Sequence, residues 1–356
     1  MKGVLSLSNG QTFTGTWKGT VTQDVQGEIV FFTGMTGYEE VLTDPSYHGQ
    51  IVVFSYPLIG HYGIQTDHLE SKKIQAAGVI VAEAYDGYVE KGAIPLLTYI
   101  AEQGIPLISG VDTRSLIQAI REDGTMQAVM SLEGKPLPAW EPISTFLVPE
   151  VTATTVETLG DGPVHIGLID FGYKHSILQA LLDRGCKVSV VPYTLETEEL
   201  DSLGLDGLLF SNGPGDPKSL TSYLERYKDW TERYPSLGIC LGHQLLALAY
   251  GATTTKLSFG HRGANHPVMN TKTNKVSMSS QNHSYVVEKT SLASTPLSVL
   301  YKNVNDSSIE GLYHPELPII TVQFHPEAAP GPAEHHEVFT TFLFPIQQLK
   351  KVSSHA

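Results

Sequence analysis

Cysteine is scarce in this 356-residue chain: Cys186 and Cys240 are the only two. Two thiols make no disulfide framework of the kind that staples small secreted domains, and a reactive thiol keeps best in a reducing compartment. Positive charge is also in short supply. Lys and Arg number 23 against 37 Asp and Glu, a net charge of −14 at pH 7. Such a chain lacks the basic footprint that holds a phosphate backbone, which argues against a nucleic-acid partner. No apolar run approaches the roughly 18 residues needed to cross a bilayer. Met1 to Gly10 has no long apolar core of the signal-peptide type. The expectation is a cytoplasmic protein with no membrane partner. Internal repeats and low-complexity tracts are missing too. So are a Gly-x-x-x-x-Gly-Lys-Ser/Thr loop and a Gly-x-Gly-x-x-Gly turn after a strand, which leaves no visible nucleotide site on this chain.

What remains is a composition of 41% apolar and 17% charged residues, enough for sizeable cores in about two domains. Residues 1–150 are rich in turns and short β patterns. Asn9-Gly10 between Val4–Leu7 and Thr12–Gly15 is a hairpin signal. Runs at 28–32, 50–54 and 77–82 read as buried strands, and 88–103 and 115–121 carry apolar residues at helical spacing. Residues 151–163 turn Thr-rich and close on Gly160-Asp161-Gly162-Pro163, the composition of a linker. From Val164 the pattern changes. A strand over 164–170, a helix over 174–184 stopped by Gly185, and a strand over 187–191 give the strand–helix–strand order of a parallel sheet. Residues 207–210 and the strand entering Cys240 extend it. The fold class expected is α/β: an N-terminal mixed α/β domain of many short strands, then an open, mostly parallel α/β sheet over 164–350, with 351–356 as a tail. In such sheets sites form at the carboxyl ends of strands.

Gly238-Ile239-Cys240-Leu241-Gly242-His243-Gln244 stands at one of these ends, between a short apolar strand and an apolar helix ending at Gly251. Gly-x-Cys-x-Gly is the thiol counterpart of the Gly-x-Ser-x-Gly nucleophile elbow. Glycines on both sides permit the sharp turn, and the helix start favours thiolate over thiol. An isolated cysteine is more often a small buried side chain in a tight turn, so its partners decide. A thiol nucleophile needs a base, and the base needs an orienting group. The strand over 317–324 runs into His325-Pro326-Glu327, where residues two apart project to the same side. Glu327 can therefore hold the imidazole tautomer while the other ring nitrogen faces Cys240. Ser211-Asn212-Gly213-Pro214-Gly215-Asp216-Pro217, at another strand end, reads either as an ordinary connector or as a rigid turn offering N–H groups to an oxyanion or carboxylate. Gln281 to Tyr285 is a polar patch, uninformative alone. Phe259 to His266 holds histidines without nearby Cys or carboxylate ligands, so no metal is assigned.

The elbow, His325-Pro326-Glu327 and Ser211 to Asp216 together resemble the class I (triad) glutamine amidotransferases. The first half narrows the resemblance. Thr33-Gly34-Met35-Thr36-Gly37-Tyr38-Glu39-Glu40, Leu42 to Tyr47, Tyr56 to Gly60, Gly110 to Arg114 and, later, Phe259 to Pro267 are similar to the small subunit of carbamoyl-phosphate synthase. The resemblance covers nearly the whole chain. It implies that Cys240 attacks the side-chain amide of L-glutamine to form a glutamyl thioester, that His325 protonates the leaving ammonia and then activates water, and that Glu327 orients His325. It implies an oxyanion hole from the N–H groups of Gly213 and Leu241, and glutamine held by Ser46, Gly215, Gln244, Asn282, Ser284 and Tyr285. Ser46 lies in the first domain, so the resemblance implies a site at the domain interface, with that domain also docking the partner. Ser284 departs from the family, which usually has glycine after Asn-His. Serine serves there through its backbone unless φ is positive. The implied partner is a large subunit that carries ATP and a divalent metal, with no cofactor on this chain, the two forming a heterodimer. Other readings are a different glutamine amidotransferase subunit, a free-standing γ-glutamyl hydrolase, or a non-catalytic regulatory subunit of the same fold. Whether the product feeds arginine or pyrimidine biosynthesis is open at this stage.

Overall fold

A computed structural model describes residues 1–20, 23–136 and 138–353. The chain divides into two compact units, one of residues 1–144 with 258–263, the other of 145–257 with 264–356.

The first unit contains β1 (Lys2–Leu7), β2 (Thr12–Lys18), β3 (Val25–Phe32), α1 (Tyr38–Thr43), β4 (Gln50–Phe54), β5 (Leu58–Ile59), β6 (Gly78–Val81), β7 (Glu83–Ala84), α2 (Leu96–Gln103), β8 (Leu107–Ser109), α3 (Thr113–Asp123) and β9 (Met126–Leu132). Strands β1-β2-β8-β6-β4-β3-β9 close into a barrel, and β5 pairs separately with β7. The Asn9-Gly10 hairpin forms as expected, with Gly10 at φ 91 and β1 antiparallel to β2. Alternation along the strands supplies two apolar surfaces. Ile29, Ile51, Val53, Ile80 and Ile108 pack with Leu116 and Ile120 of α3. Their neighbours Val30, Phe32, Val52, Phe54, Val79 and Val81 pack with α1 and α2. The helix expected over 88–103 is shorter. Pro95 occupies the N-cap position of α2 and Gly92 sits at φ 101, so Ile94 packs from a turn and Tyr88 stays exposed.

The second unit holds β10 (Glu157–Leu159), β11 (Val164–Asp170), α4 (His175–Leu182), β12 (Cys186–Pro192), α5 (Thr197–Ser202), β13 (Gly207–Phe210), α6 (Leu224–Arg233), β14 (Ser236–Ile239), α7 (Leu241–Ala249), β15 (Thr254–Asn270), β16 (Val276–Val287), β17 (Ser298–Asn303), β18 (Ile309–Tyr313), β19 (Ile319–Val322) and α8 (Glu337–Ser353). The sheet order is β10-β12-β11-β13-β14-β19-β18-β17-β15-β16. Its centre, β12-β11-β13-β14-β19, is parallel throughout. The strands from β19 to β18, β17 and β15 pair antiparallel, so the parallel character is confined to that centre. Residues 151–163, expected as a linker, carry β10, an edge strand antiparallel to β12. The Thr158 and Ser189 hydroxyls meet there at 2.7 Å. Of the tail expected at 351–356, the first three residues continue α8 and 354–356 lie outside the described residues.

Helices cover both faces of the central sheet. Leu208 and Phe210 pack with Leu200 of α5, Tyr227 and Trp230 of α6, and Leu245 and Leu246 of α7. Ile166, Leu168, Leu209 and Leu237 pack with Ile177, Leu178 and Leu181 of α4 and with Phe339, Phe342 and Ile346 of α8. Strands buried on both sides read as near-continuous apolar runs, which is why 207–210 and, apart from His165 and the closing Asp170, 164–170 stand out in the sequence. The chain leaves β11 for β12 on one side and returns to β13 on the other. That reversal opens a crevice at the carboxyl ends of the strands.

Candidate active site

Four neighbouring parallel strands end beside one another, and each releases part of the site. β14 ends at Ile239 and gives Cys240, the N-cap of α7. Cys240 has φ 53 and ψ −102, a conformation that a residue with a Cβ adopts only when its surroundings force it. The forcing contacts are visible. The Cys240 N–H donates to the Val322 carbonyl at 2.8 Å, and the Gly242 N–H donates to Ser211 O at 3.0 Å. A Cβ on Gly242 would come within 2.1 Å of Phe210 O, so only glycine lets α7 start this close to β13. Leu241 opens the helix, where backbone N–H groups have no intrahelical acceptor.

β19 ends at Val322 and leads to Gln323, His325 and Glu327. The His325 N–H donates to Ser280 O at 2.9 Å, fixing its backbone against β16. Its Nδ1 lies 2.6 Å from Glu327 Oε1. Among the described residues, Nε2 makes no hydrogen bond of ordinary geometry. Burial favours the neutral imidazole, but the Glu327 carboxylate and the Cys240 sulfur outweigh it and hold the ring above its ordinary range. Glu327 is buried as well. Burial alone would raise its carboxyl, yet Lys174 and His325 beside it hold it well below the usual carboxylate range.

Lys174 comes from the end of β11. Asp170 Oδ1 accepts the N–H groups of Gly172 and Tyr173 at 2.7 and 3.0 Å and shapes the turn. Asn212 Oδ1 then accepts the Lys174 N–H at 3.0 Å. The Lys174 ammonium, 3% exposed, donates to Glu327 Oε1 at 3.0 Å. It also donates to Ala328 O at 2.8 Å. Ala328 and Ala329 both have positive φ, 62 and 45, so the cation also holds a strained turn.

β13 ends at Phe210 and leads into the Ser211–Pro217 loop. A Cβ at Gly213 would lie 2.2 Å from Phe171 O and 2.9 Å from the Leu241 side chain, which brings the Gly213 backbone beside Leu241. Gly215 packs against Thr145, and the Asp216 N–H donates to Thr145 O at 3.0 Å. From β16, Asn282 O accepts from Cys240 Sγ at 3.6 Å, and Tyr285 O accepts from Gln244 Nε2 at 2.8 Å. Cys240, His325, Glu327, Gly213, Leu241, Gln244, Asn282 and Tyr285 therefore gather in one place. Ser284 follows in β16, half-buried, without the positive φ that would demand glycine. Ser46 belongs to the first unit, where its N–H donates to Asp44 Oδ1 at 2.8 Å. A thiol beside an imidazole that is itself steered by a carboxylate is equipped for nucleophilic acyl transfer.

Comparison with known proteins bears on both units. Residues 5–130 match the family model "Carbamoyl-phosphate synthase small chain, CPSase domain". Residues 167–344 match "Glutamine amidotransferase class-I". The arginine-specific small chain of carbamoyl phosphate synthase from Halalkalibacterium halodurans is 53% identical over 96% of each chain. The chain belongs to the carbamoyl-phosphate synthase small chain family. A second relative with the arginine-specific name, from Bacillus subtilis, is 50% identical over 100% of each chain. A small chain from Listeria monocytogenes named without pathway is 44% identical over 96% of each.

Two residues of this cluster are absent from the sequence reading of the site, Lys174 and Gln323. Lys174 reads as a helix start and Gln323 as one more residue of a strand. Their proximity to strand ends that carry the elbow and the His-Pro-Glu run is the one signal that points at them.

Proposed function

We propose that this chain is the glutaminase subunit of a carbamoyl-phosphate synthase, paired as a heterodimer with a large chain. Cys240, as thiolate, attacks the side-chain carbonyl carbon of L-glutamine. The oxyanion that develops is met by the N–H groups of Gly213 and Leu241. His325 gives its Nε2 proton to the leaving nitrogen, ammonia departs, and a glutamyl thioester stays on Cys240. The neutral imidazole then takes a proton from water, hydroxide attacks the thioester, and glutamate leaves as the sulfur is regenerated. Glu327 keeps Nδ1 protonated throughout, and Lys174 keeps Glu327 ionised. Ser46, Gly215, Gln244, Asn282, Ser284 and Tyr285 hold the glutamine. The ammonia passes to the large chain, which supplies the bicarbonate and ATP chemistry with its divalent metal. This chain needs no cofactor for its part, and the reaction belongs in the cytoplasm. The arginine-specific names of three relatives at 50–53% identity favour arginine biosynthesis.

The observation that carries the reading is the His325 ring, locked by Glu327 on one nitrogen and close to the sulfur of a cysteine that sits on a strained turn. The test is Cys240→Ser in a complex reconstituted with the large chain. Glutamine hydrolysis and glutamine-dependent carbamoyl phosphate formation should disappear, because a hydroxyl ionises far less readily than a thiol. Synthesis from ammonium salt should persist. Loss of both activities in a folded, assembled complex would refute the division of labour.

A further inference from the structure

One buried amide at this site has no part in the triad. Gln323 is fully buried, one residue past β19. Its Nε2 lies 3.7 Å from Cys240 Sγ, within reach of a hydrogen bond to sulfur. Which end of the amide faces the sulfur is fixed by its neighbours. The Tyr285 carbonyl can only accept, so the Gln244 group facing it at 2.8 Å is the NH2. That same Gln244 Nε2 donates to Gln323 Oε1 at 3.0 Å. With Oε1 used as the acceptor, the NH2 end of Gln323 is turned to the sulfur.

The other neighbour of the sulfur has the opposite character. Asn282 O, at 3.6 Å, can accept an S–H proton but repels an ionised sulfur. A donor and an acceptor thus flank the same atom. The thiol satisfies Asn282 and the thiolate satisfies Gln323, and a donor to a charged acceptor is worth more than one to a neutral acceptor.

We propose that Gln323 is a further catalytic residue, whose amide N–H stabilises the Cys240 thiolate once the proton has left Asn282 O for His325 Nε2. In that step the S–H bond breaks, its electron pair stays on sulfur, and the proton goes to the imidazole. The chain from Tyr285 O through Gln244 to Gln323 fixes the donor before substrate arrives. It also joins a residue assigned to glutamine binding to the nucleophile itself. This inference rests on the reading of Cys240 as the nucleophile.

The test uses the full-length chain and a probe that bypasses glutamine. Iodoacetamide alkylation of Cys240 is followed by peptide mass spectrometry across a pH series, with buried Cys186 as internal reference. Burial pushes the Cys186 thiol up to about 11, so it labels slowly at neutral pH. Gln323→Met, similar in length but without a donor, should slow Cys240 labelling about tenfold near neutral pH. Its rate profile should move to higher pH. Gln323→Glu, nearly isosteric with the native side chain, should slow it further, because a carboxylate beside the sulfur opposes ionisation. The Glu variant also tests the idea independently of any packing defect in the Met variant. If wild-type Cys240 labels no faster than Cys186, the nucleophile reading itself fails. If wild-type Cys240 labels fast and both variants match it, the role of Gln323 alone is overturned. A raised KM for glutamine with unchanged labelling also overturns it, since Gln323 would then act only through Gln244.

Discussion

Replacing Lys174 with methionine removes the ammonium that touches Glu327 while nearly conserving volume. In the native chain the ammonium donates charge-assisted hydrogen bonds to Glu327 Oε1 and to Ala328 O. The carboxylate left behind is 1% exposed, so water cannot replace the lost partner. Removing one member of a buried pair costs about 3–5 kcal/mol. Because His325 still faces Glu327 at 2.6 Å, the expected loss lies at the lower end, about 3 kcal/mol. For a unit of roughly 200 residues each kcal/mol moves the melting temperature about 2–4 °C, so Tm should fall by about 6–12 °C. The sign of the pH dependence follows from the carboxyl. The folded-state pKa of Glu327 is depressed, with Lys174 the largest lowering influence. Its stabilisation is therefore fully present above the ordinary carboxylate range and lost as pH falls through the depressed value. The Tm gap between native and Lys174→Met chains should accordingly be widest near neutrality and narrow in acid. Scanning calorimetry across that range measures both. A Tm shift under about 1 °C, or a gap that does not narrow in acid, would refute the argument that Lys174 supports an ionised Glu327.

Gly242→Ala sets a Cβ within 2.1 Å of the Phe210 carbonyl, with backbone on both sides of the clash. It should destabilise the second unit by about 3 kcal/mol in denaturant titration, and a loss under about 1 kcal/mol would mean the elbow tolerates what the geometry forbids. Ser284→Gly restores the residue usual in the family at a strand position that has no positive φ. Glutamine-dependent kcat should stay as it is and stability should fall by about 0.5–1 kcal/mol, whereas a clear gain in kcat would show that serine impairs the site.

Much of the second unit was legible because its strands are buried on both faces. A mostly apolar run such as Val164–Asp170, broken by His165 and closed by Asp170, announces a strand without reference to its partners, and Gly185 at φ 71 lies just past the end of α4. The antiparallel half of the sheet carries no such signal. β15 runs 17 residues from Thr254 to Asn270 through Gly260, His261 and Arg262, polar residues that read as a loop because their pairing lies in distant sequence. β10 was hidden for a related reason. Glu157–Leu159 is an edge strand of exposed threonine and glutamate, held by β12 on one side only. Its composition is that of a connector.

The proposed catalytic side chains divide in the same way, by whether their chemistry is local or borrowed. Cys240 and the His325–Glu327 pair each sit in a short run whose spacing states a mechanical need, a sharp turn in one case and a shared strand face in the other. Lys174 and Gln323 act across 153 and 83 residues of chain respectively, and nothing next to them in sequence calls for their chemistry. What identifies them is desolvation. An ammonium 3% exposed and a fully buried carboxamide are both costly to bury without partners, so each must be answered by a group that needs it. In both cases an answering group belongs to the proposed triad, Glu327 for Lys174 and Cys240 for Gln323, which Gln244 meets as well. The buried polar residues around Cys240 are therefore better guides to how a nucleophile there would be tuned than the motif that first points to it.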